Sequence, residues 1–440
     1  MLTRLRLANL KTWGERLWPD GVALSPITLL LGANSSGKTS LLQMPLLLKQ
    51  TFRGPDRLAH LNLGGHRSDL INLGDYQSAI HNFEVERELK LGLTIRDGAN
   101  PGDPLIDYTA TFVAERGRPF VRRLEVSGGG QSFVAIRQAD GAYTLEAPGY
   151  EPAEGDSDGR RSFEPHRALS FSPAAVDALG SAAPDVRKLA RKVQLALDNV
   201  AYLGPLREYP ERAYTWPGPV PRQLGRKGER AADVLIAEAH AERPTNGERE
   251  SARLIDRVSE WLSRMGLADE LILRGQAGTR NYELVVARGQ QRANIADVGF
   301  GVSQVLPAIV LAYSTPPGGT IILEQPELHL HPAAQAGLAD FIVDVSRERE
   351  VQFLVETHSE LLFRRLQTLM AGESLTPDQC ALYWVGFEDG EAGLTRLDID
   401  EFGRVANWPK QFFGDAVGEA EKQMRLMIER RRRMEPRSDG

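Results

Sequence analysis

Cysteine is almost missing from this chain: Cys380 stands alone among 440 residues. A single thiol excludes an intramolecular disulfide and suits a reducing cytosol. Long apolar runs are missing too, and no stretch approaches the ~20 residues that a membrane-spanning helix requires. Met1 to Leu10 alternates Leu with Arg and Thr, without the continuous apolar centre of a signal peptide. A strong charge of one sign is also absent. The formal net charge is −6, so no global basic field advertises nucleic acid or anionic membrane. A local basic face stays compatible with that balance. These absences predict a soluble cytoplasmic protein with no membrane partner. The length is enough to bury a large core in two or more structural units.

What the chain does have is Gly32-Ala33-Asn34-Ser35-Ser36-Gly37-Lys38-Thr39, followed by Ser40. It fits G-x-x-x-x-G-K-[ST], the phosphate-binding P-loop. Ile27 to Leu31 enters it as a short apolar strand, and Ser40 to Gln50 leaves it with helical periodicity. Gly32 and Gly37 allow backbone angles that a side chain forbids. The loop amides then face phosphate oxygens at the positive end of the new helix. In such a loop Lys38 reaches the β- and γ-phosphates of ATP, and Thr39 ligates Mg²⁺. An ordinary Gly/Ser turn is the bland alternative; agreement at every fixed position and on both flanks disfavours it.

A P-loop needs a second strand bringing an acid to the metal. Thr320-Ile321-Ile322-Leu323-Glu324 is one, with a carboxylate at its C-terminal edge, where α/β sheets bind ligands. Gly299, Gly301 and Ser303 open an apolar helix and form another anion-binding terminus. His358 follows the buried strand Val351–Val355 and can hydrogen-bond a γ-phosphate.

The rest of the chain falls into blocks. A β-rich pattern from Phe83 onward predicts an antiparallel sheet of strands Glu84–Ile95, Tyr108–Ala114, Phe120–Ser127 and Ser132–Arg137. Tyr150–Ser162 is a polar, acidic linker. Helices are expected at Asp185–Asn199 and Glu248–Met265, and strands at Glu270–Arg274 and Asn281–Ala287. Strands alternating with helices after Gly299 predict a parallel sheet. Asp415–Met434 reads as a charged helix ending in Arg430–Arg433.

P-loop, Gly-rich turn, EQPELHLHP and THS, in that order, resemble an ATP-binding-cassette ATPase. The likeness is to structural-maintenance-of-chromosomes heads, RecF-type repair proteins and overcoming-lysogenisation-defect ATPases. GFGVSQVLP, EQPELHLHP and NWPKQFFGD are closer still to bacterial AAA-family ATPases with a short C-terminal domain of unknown function. The middle of the chain adds YLGPLR around Tyr202 to Arg207. The resemblance implies an α/β P-loop head with a mixed central sheet, an antiparallel β subdomain and an inserted helical region. The implied division is 1–170 and 267–390 for the two halves of the head, 171–266 for the insert and 391–440 for the short C-terminal domain.

The same resemblance implies roles. The P-loop residues Gly32 and Asn34 to Ser40 hold ATP. Gln77 senses the metal, beside Thr39 and Glu324. Gly299, Gly301 and Ser303 form a signature closing on the γ-phosphate of a second subunit. His329 to Pro332 lines the dimer seam, and His358 is the switch histidine. A head-to-head homodimer with two sandwiched ATP molecules follows. Relatives keep a general-base Glu where this chain has Gln325. An amide orients water but accepts no proton at neutral pH. Either hydrolysis is slow, or Glu327 substitutes; both stay open here.

The function implied is an ATP-dependent switch in phage defence or genome maintenance, with a separate nuclease or toxin as effector. Other classes stay in view: a RecF-like DNA-binding repair ATPase, a transporter's ATPase subunit, and a nuclease in its own right. Asp398 and Asp400 would carry the nuclease reading, but strand-end acids explain them as well. Arg430–Arg433 could meet nucleic-acid phosphate, yet four arginines also suit a helix C-terminus. Arg160 and Arg161 lie in an acidic stretch. Trp408, Phe412 and Phe413 read as core or interface anchors. Loop positions account for His329, His331 and His358 without a transition metal.

Overall fold

A computed structural model describes residues 1–54, 61–66, 68–98, 100, 102–147, 153–154, 163–167, 170–216, 218–221, 223–240, 253–409 and 422–428. Arg160–Arg161, Phe412–Phe413 and Arg430–Arg433 lie outside these residues. Of the charged helix expected over Asp415–Met434, Lys422–Ile428 is described; it is helical and exposed.

The organising element is a mixed six-stranded sheet. Its order is Val200–Leu203, Thr320–Glu324, Gln352–Glu356, Ile27–Gly32, Cys380–Glu388, Glu391–Arg396. All neighbours pair in parallel except the last two strands, which form an antiparallel hairpin. The three inner strands that carry the motifs are buried along their whole length. That is why they read as unbroken apolar runs: a sheet covered on both faces has no solvent side.

Alternation along these strands feeds two cores. Leu30, Ile322 and Leu354 point into one, with the P-loop helix Lys38–Arg53 and the antiparallel sheet. Leu29, Leu31, Ile321, Leu323, Phe353 and Val355 point into the other. That second core contains the helices Phe300–Ser314, Pro332–Arg349 and Glu360–Ala371. Each fully buried Leu, Ile or Phe contributes roughly 1.5–3 kcal/mol relative to exposure, so both faces of the sheet are held.

The expected antiparallel sheet is present and larger than predicted. It has eight strands, in which Leu2–Ala8 lies between Val22–Ala23 and Leu89–Arg96. The strand expected from Glu84 starts at Leu89 instead. Arg87 donates from its amide to the Glu84 carbonyl and pairs with the Glu84 side chain, closing a turn. The stretch 171–266 is not helix alone. Its Val200–Leu203 is an edge strand of the central sheet, in parallel register with Thr320–Leu323. Four residues are too few for periodicity to separate strand from helix end. A third sheet joins Tyr214–Thr215, Asn281–Arg288 and Glu270–Gly275, with Gln291–Asn294 on its side.

Candidate functional site

The P-loop strand ends in Gly32 at φ 147° and the loop closes with Gly37 at φ 105°. Both angles suit glycine alone. Space demands glycine as well. A Cβ on Gly32 would lie 2.1 Å from the Val385 carbonyl oxygen, and one on Gly37 would lie 2.6 Å from Thr12 Oγ1. Trp13 Nε1 donates to the Gly37 carbonyl at 2.9 Å and braces the turn. Ala33, Asn34 and Ser35 form its exposed rim, Ser36 is buried, and Thr39 and Ser40 are half-buried. Lys38 arches back under the loop. Its Nζ donates to the carbonyls of Gly32 at 3.0 Å and Ala33 at 2.6 Å. Burial lowers its pKa, and Glu356 and Glu327 oppose that shift.

Acids meet this lysine from the neighbouring strand ends. Glu324 and Glu356 are register partners on adjacent parallel strands. Thr39 Oγ1 donates to Glu356 Oε2 at 2.7 Å. Tyr202 donates its hydroxyl to Glu324 Oε1 at 3.0 Å. Glu327 Oε1 accepts from the His358 amide at 2.8 Å, while its Oε2 is buried with no partner among the described residues. Relative exposures are 4% for Glu324, 4% for Glu356, 7% for Glu327, 2% for Lys38 and 8% for Arg207. Burial, then the charge of Glu356, pushes the Glu324 pKa up to about 7. Burial raises Glu327 and Glu356 as well. His358 is exposed at its side chain; partial burial and then Lys38 lower its pKa. So many desolvated charges at one sheet edge cost stability, which marks a site kept for chemistry.

Glu356 was not singled out in the sequence, although it ends the buried run Gln352–Glu356 just as Glu324 ends Thr320–Glu324. That shared pattern is the signal that finds it. Tyr202 and Arg207 stood in YLGPLR without a role, and the strand Val200–Leu203 carries both to the acids. Gln325 is half-buried at φ 44°, with its amide on the Glu356 carbonyl. Gln77 is exposed on the short helix Tyr76–Ala79, whose Tyr76 hydroxyl is anchored to the Arg87 carbonyl at 2.9 Å.

The Gly-rich turn forms a second cluster. Gly299 caps the helix Phe300–Ser314 and is exposed. Gly301 packs on Leu267, which a Cβ would approach to 3.0 Å. Ser303 is buried, with its hydroxyl donating to the Phe300 carbonyl at 2.9 Å. His329, at φ 64°, brings its ring to 6.2 Å from that of Phe300. His331 Nδ1 caps the helix that Pro332 opens by accepting from the Ala333 amide at 3.4 Å. Signature and His329–Pro332 loop therefore line one cleft. The signature helix runs down to Ser314 and the chain re-enters the sheet at Thr320. Its start is thus on the same strand edge as the P-loop, but against the opposite core.

Among the described residues no group of three or more His, Cys, Asp and Glu is placed to hold a metal by itself. Asp400 caps a turn instead, accepting from the Phe402 and Arg404 amides at 3.0 and 2.7 Å. No described helix is long and apolar enough to cross a membrane.

A family model described as "AAA domain, putative AbiEii toxin, Type IV TA system" matches residues 27–364, from the P-loop strand to beyond His358. The chain belongs to this family. It is an AAA-domain ATPase by family, and the buried lysine and acids sit inside the matched range. Residues 375–423 match a second model, described as "Protein of unknown function (DUF3696)". No curated protein matches the chain. Among solved structures, an SMC head bound to the C-winged helix domain of ScpA is similar at 13% identity and TM-score 0.47. That similarity covers 91% of this chain and 98% of the other. The SMC head domain from Thermotoga maritima is similar at 12% identity and TM-score 0.40, over 90% and 99%. A Pyrococcus furiosus Smc head domain with an extended coiled coil, bound to the C-terminal domain of ScpA, is similar at 12% identity and TM-score 0.41, over 98% and 99%.

Proposed function

We propose that this AAA-domain protein binds and hydrolyses Mg·ATP, and that ATP closes two copies of it into a dimer. The observation that carries the reading is Lys38 arched under the P-loop beside the Thr39–Glu356 pair and Glu324. The donor set suits magnesium. Mg²⁺ takes hard oxygen ligands, through one or two carboxylates plus substrate phosphates, and does not need a full protein cage. Thr39 and Glu324, with Glu356 behind Thr39, offer such a partial set. When bound, the ion would neutralise charge on the phosphates.

The protein's own groups do the rest. Lys38 and the first amides of its helix hold the phosphates; Asn34, Ser35, Ser36 and Ser40 complete the loop around them. Glu327, anchored through one oxygen and free at the other, takes the proton of the attacking water. Gln325 orients that water, and His358 contacts the γ-phosphate. Gln77 joins from its exposed helix as the chain closes. Support for the dimer comes from the opposite-face placement of P-loop and signature. Gly299, Gly301 and Ser303 of one copy then meet ATP held by the other.

We assign 1–170 and 267–390 to the head, 171–266 to a helical insert that also lends one central strand, and 391–440 to a C-terminal domain whose first strand, Glu391–Arg396, completes the central sheet. The family description reads "putative AbiEii toxin, Type IV TA system". On our reading the protein is a cytoplasmic switch in phage defence or genome maintenance, acting on a separate effector. The test is the melting temperature with and without Mg·ATP, which should rise through linkage. Lys38→Ala should lose that rise; an equal rise in the variant would remove the site assignment.

A further inference from the structure

Arg207 is the buried ion for which the fold provides least. Its guanidinium makes one long hydrogen bond, from Nη2 to the Glu324 carbonyl at 3.5 Å. Nε and Nη1 are buried and have no partner among the described residues. The backbone around it is fixed: the Gly204 amide donates to the Arg226 carbonyl at 2.8 Å, and the Glu208 amide to the Lys227 carbonyl at 3.0 Å. Leu206 and Tyr209 on either side are exposed at 71% and 73%, so Arg207 points inward while its neighbours face solvent. For stability alone an apolar side chain of similar volume would serve about as well, because one long hydrogen bond and the neighbouring acids offset only part of the cost of desolvating the cation. Glu327 is in a similar situation: its Oε2 is buried without a partner in hydrogen-bond geometry, with the Thr357 hydroxyl beside the carboxylate. The Glu324 carbonyl that Arg207 bonds is three residues before Glu327 in the same chain segment, and the charges of Glu324 and then Glu327 both act on the guanidinium.

We propose that Arg207 is the positioning residue for Glu327: its free N–H groups engage the free carboxylate oxygen as the site closes around the nucleotide. One oxygen of Glu327 is held by the His358 amide already, so a second contact fixes the carboxylate plane. A charge-assisted bond of this kind is short and directional. The base is then aimed at the attacking water and not left to rotate. Arg207 does not touch the nucleotide; it acts through Glu327. The proposal rests on the reading of Glu327 as base in an ATPase.

The experiment compares the full-length parent with Arg207→Met, Arg207→Lys and Glu327→Gln. It measures steady-state phosphate release and melting temperature with and without Mg·ATP. Arg207→Met should lower kcat by about 10²-fold, the scale set by misplacing a catalytic group, and leave KM within about threefold, since uniform binding is untouched. Its nucleotide-free melting temperature should match or exceed the parent's. Arg207→Lys should recover part of kcat by restoring the charge. Unchanged kcat in Arg207→Met, with Glu327→Gln inactive, overturns the positioning role and leaves the ATPase reading standing. A joint fall of melting temperature and kcat that Arg207→Lys does not relieve makes Arg207 structural and also overturns it. A parent that neither gains melting temperature from Mg·ATP nor releases phosphate removes the ATPase reading, and this proposal with it.

Discussion

On the proposed reading, Gln325 and Glu327 divide the chemistry of the loop that follows Glu324. The sequence alone leaves two options, slow hydrolysis with Gln325 orienting the water or Glu327 serving as the base, and the structure gives the two residues different environments. Gln325 is held in the left-handed region, with its amide tied to the neighbouring strand. Glu327 is buried and braced on the His358 amide. Glu327→Gln should therefore reduce turnover by about 10²- to 10⁴-fold, the range for losing a general base. ATP binding should persist, because a base acts in the transition state. Gln325→Glu should give little gain. Phosphate release at saturating Mg·ATP checks both variants. A strong acceleration by Gln325→Glu, with an idle parent, would show instead a protein built to hold ATP.

The P-loop helix is the element that joins nucleotide to fold. Its first turn holds Lys38 and Thr39, and its fourth turn is pinned by Lys49. That lysine is 5% exposed and donates from Nζ to the Asp198 carbonyl at 2.9 Å and to the Val200 carbonyl. Helix and edge strand Val200–Leu203 are thereby locked together. Burial, then the nearby Arg53, pushes the Lys49 pKa down to about 7. In the unfolded chain it returns to about 10.4. Between those values the unfolded state binds a proton that the folded state lacks, so stability rises with pH. The slope from this group approaches about 1.4 kcal/mol per pH unit. Melting temperatures at pH 7, 8 and 9 without nucleotide should climb in the parent relative to Lys49→Met. Parallel curves for the two proteins would refute the assignment.

At the scale of the whole molecule, the central sheet keeps the P-loop helix and the signature helix apart on its two faces. In the proposed dimer a closed site takes two copies, with Ser303 at the junction. Ser303 is buried and its hydroxyl is engaged within its own helix turn, so a long cation there should push into the seam. Sedimentation with a non-hydrolysable ATP analogue should show firmer dimers for the parent than for Ser303→Arg, while both keep the ATP-dependent rise in melting temperature. Equal association would argue against a signature acting in trans.

The sequence by itself determined the P-loop, the acid strand, the histidine strand and the Gly-rich helix start. Each rests on a local rule: a glycine at positive φ, an apolar run ending in a carboxylate, or a helix opened by small residues. It likewise determined most of the antiparallel sheet, whose alternation is set by neighbours two residues apart. Tertiary structure alone decided what these segments meet. Strand pairing across more than a hundred residues brought Tyr202 and Arg207 to Glu324, and no periodicity within YLGPLR announces that. The Glu324–Glu356 register exists only once two strands lie side by side. Whether Glu327 is a surface acid or a buried one depended on where the loop after Glu324 folds, and it folds onto the His358 amide. Burial and proximity are properties of the packed sheet, so the pKa values, the partnerless atoms and the two opposed cores became visible only there.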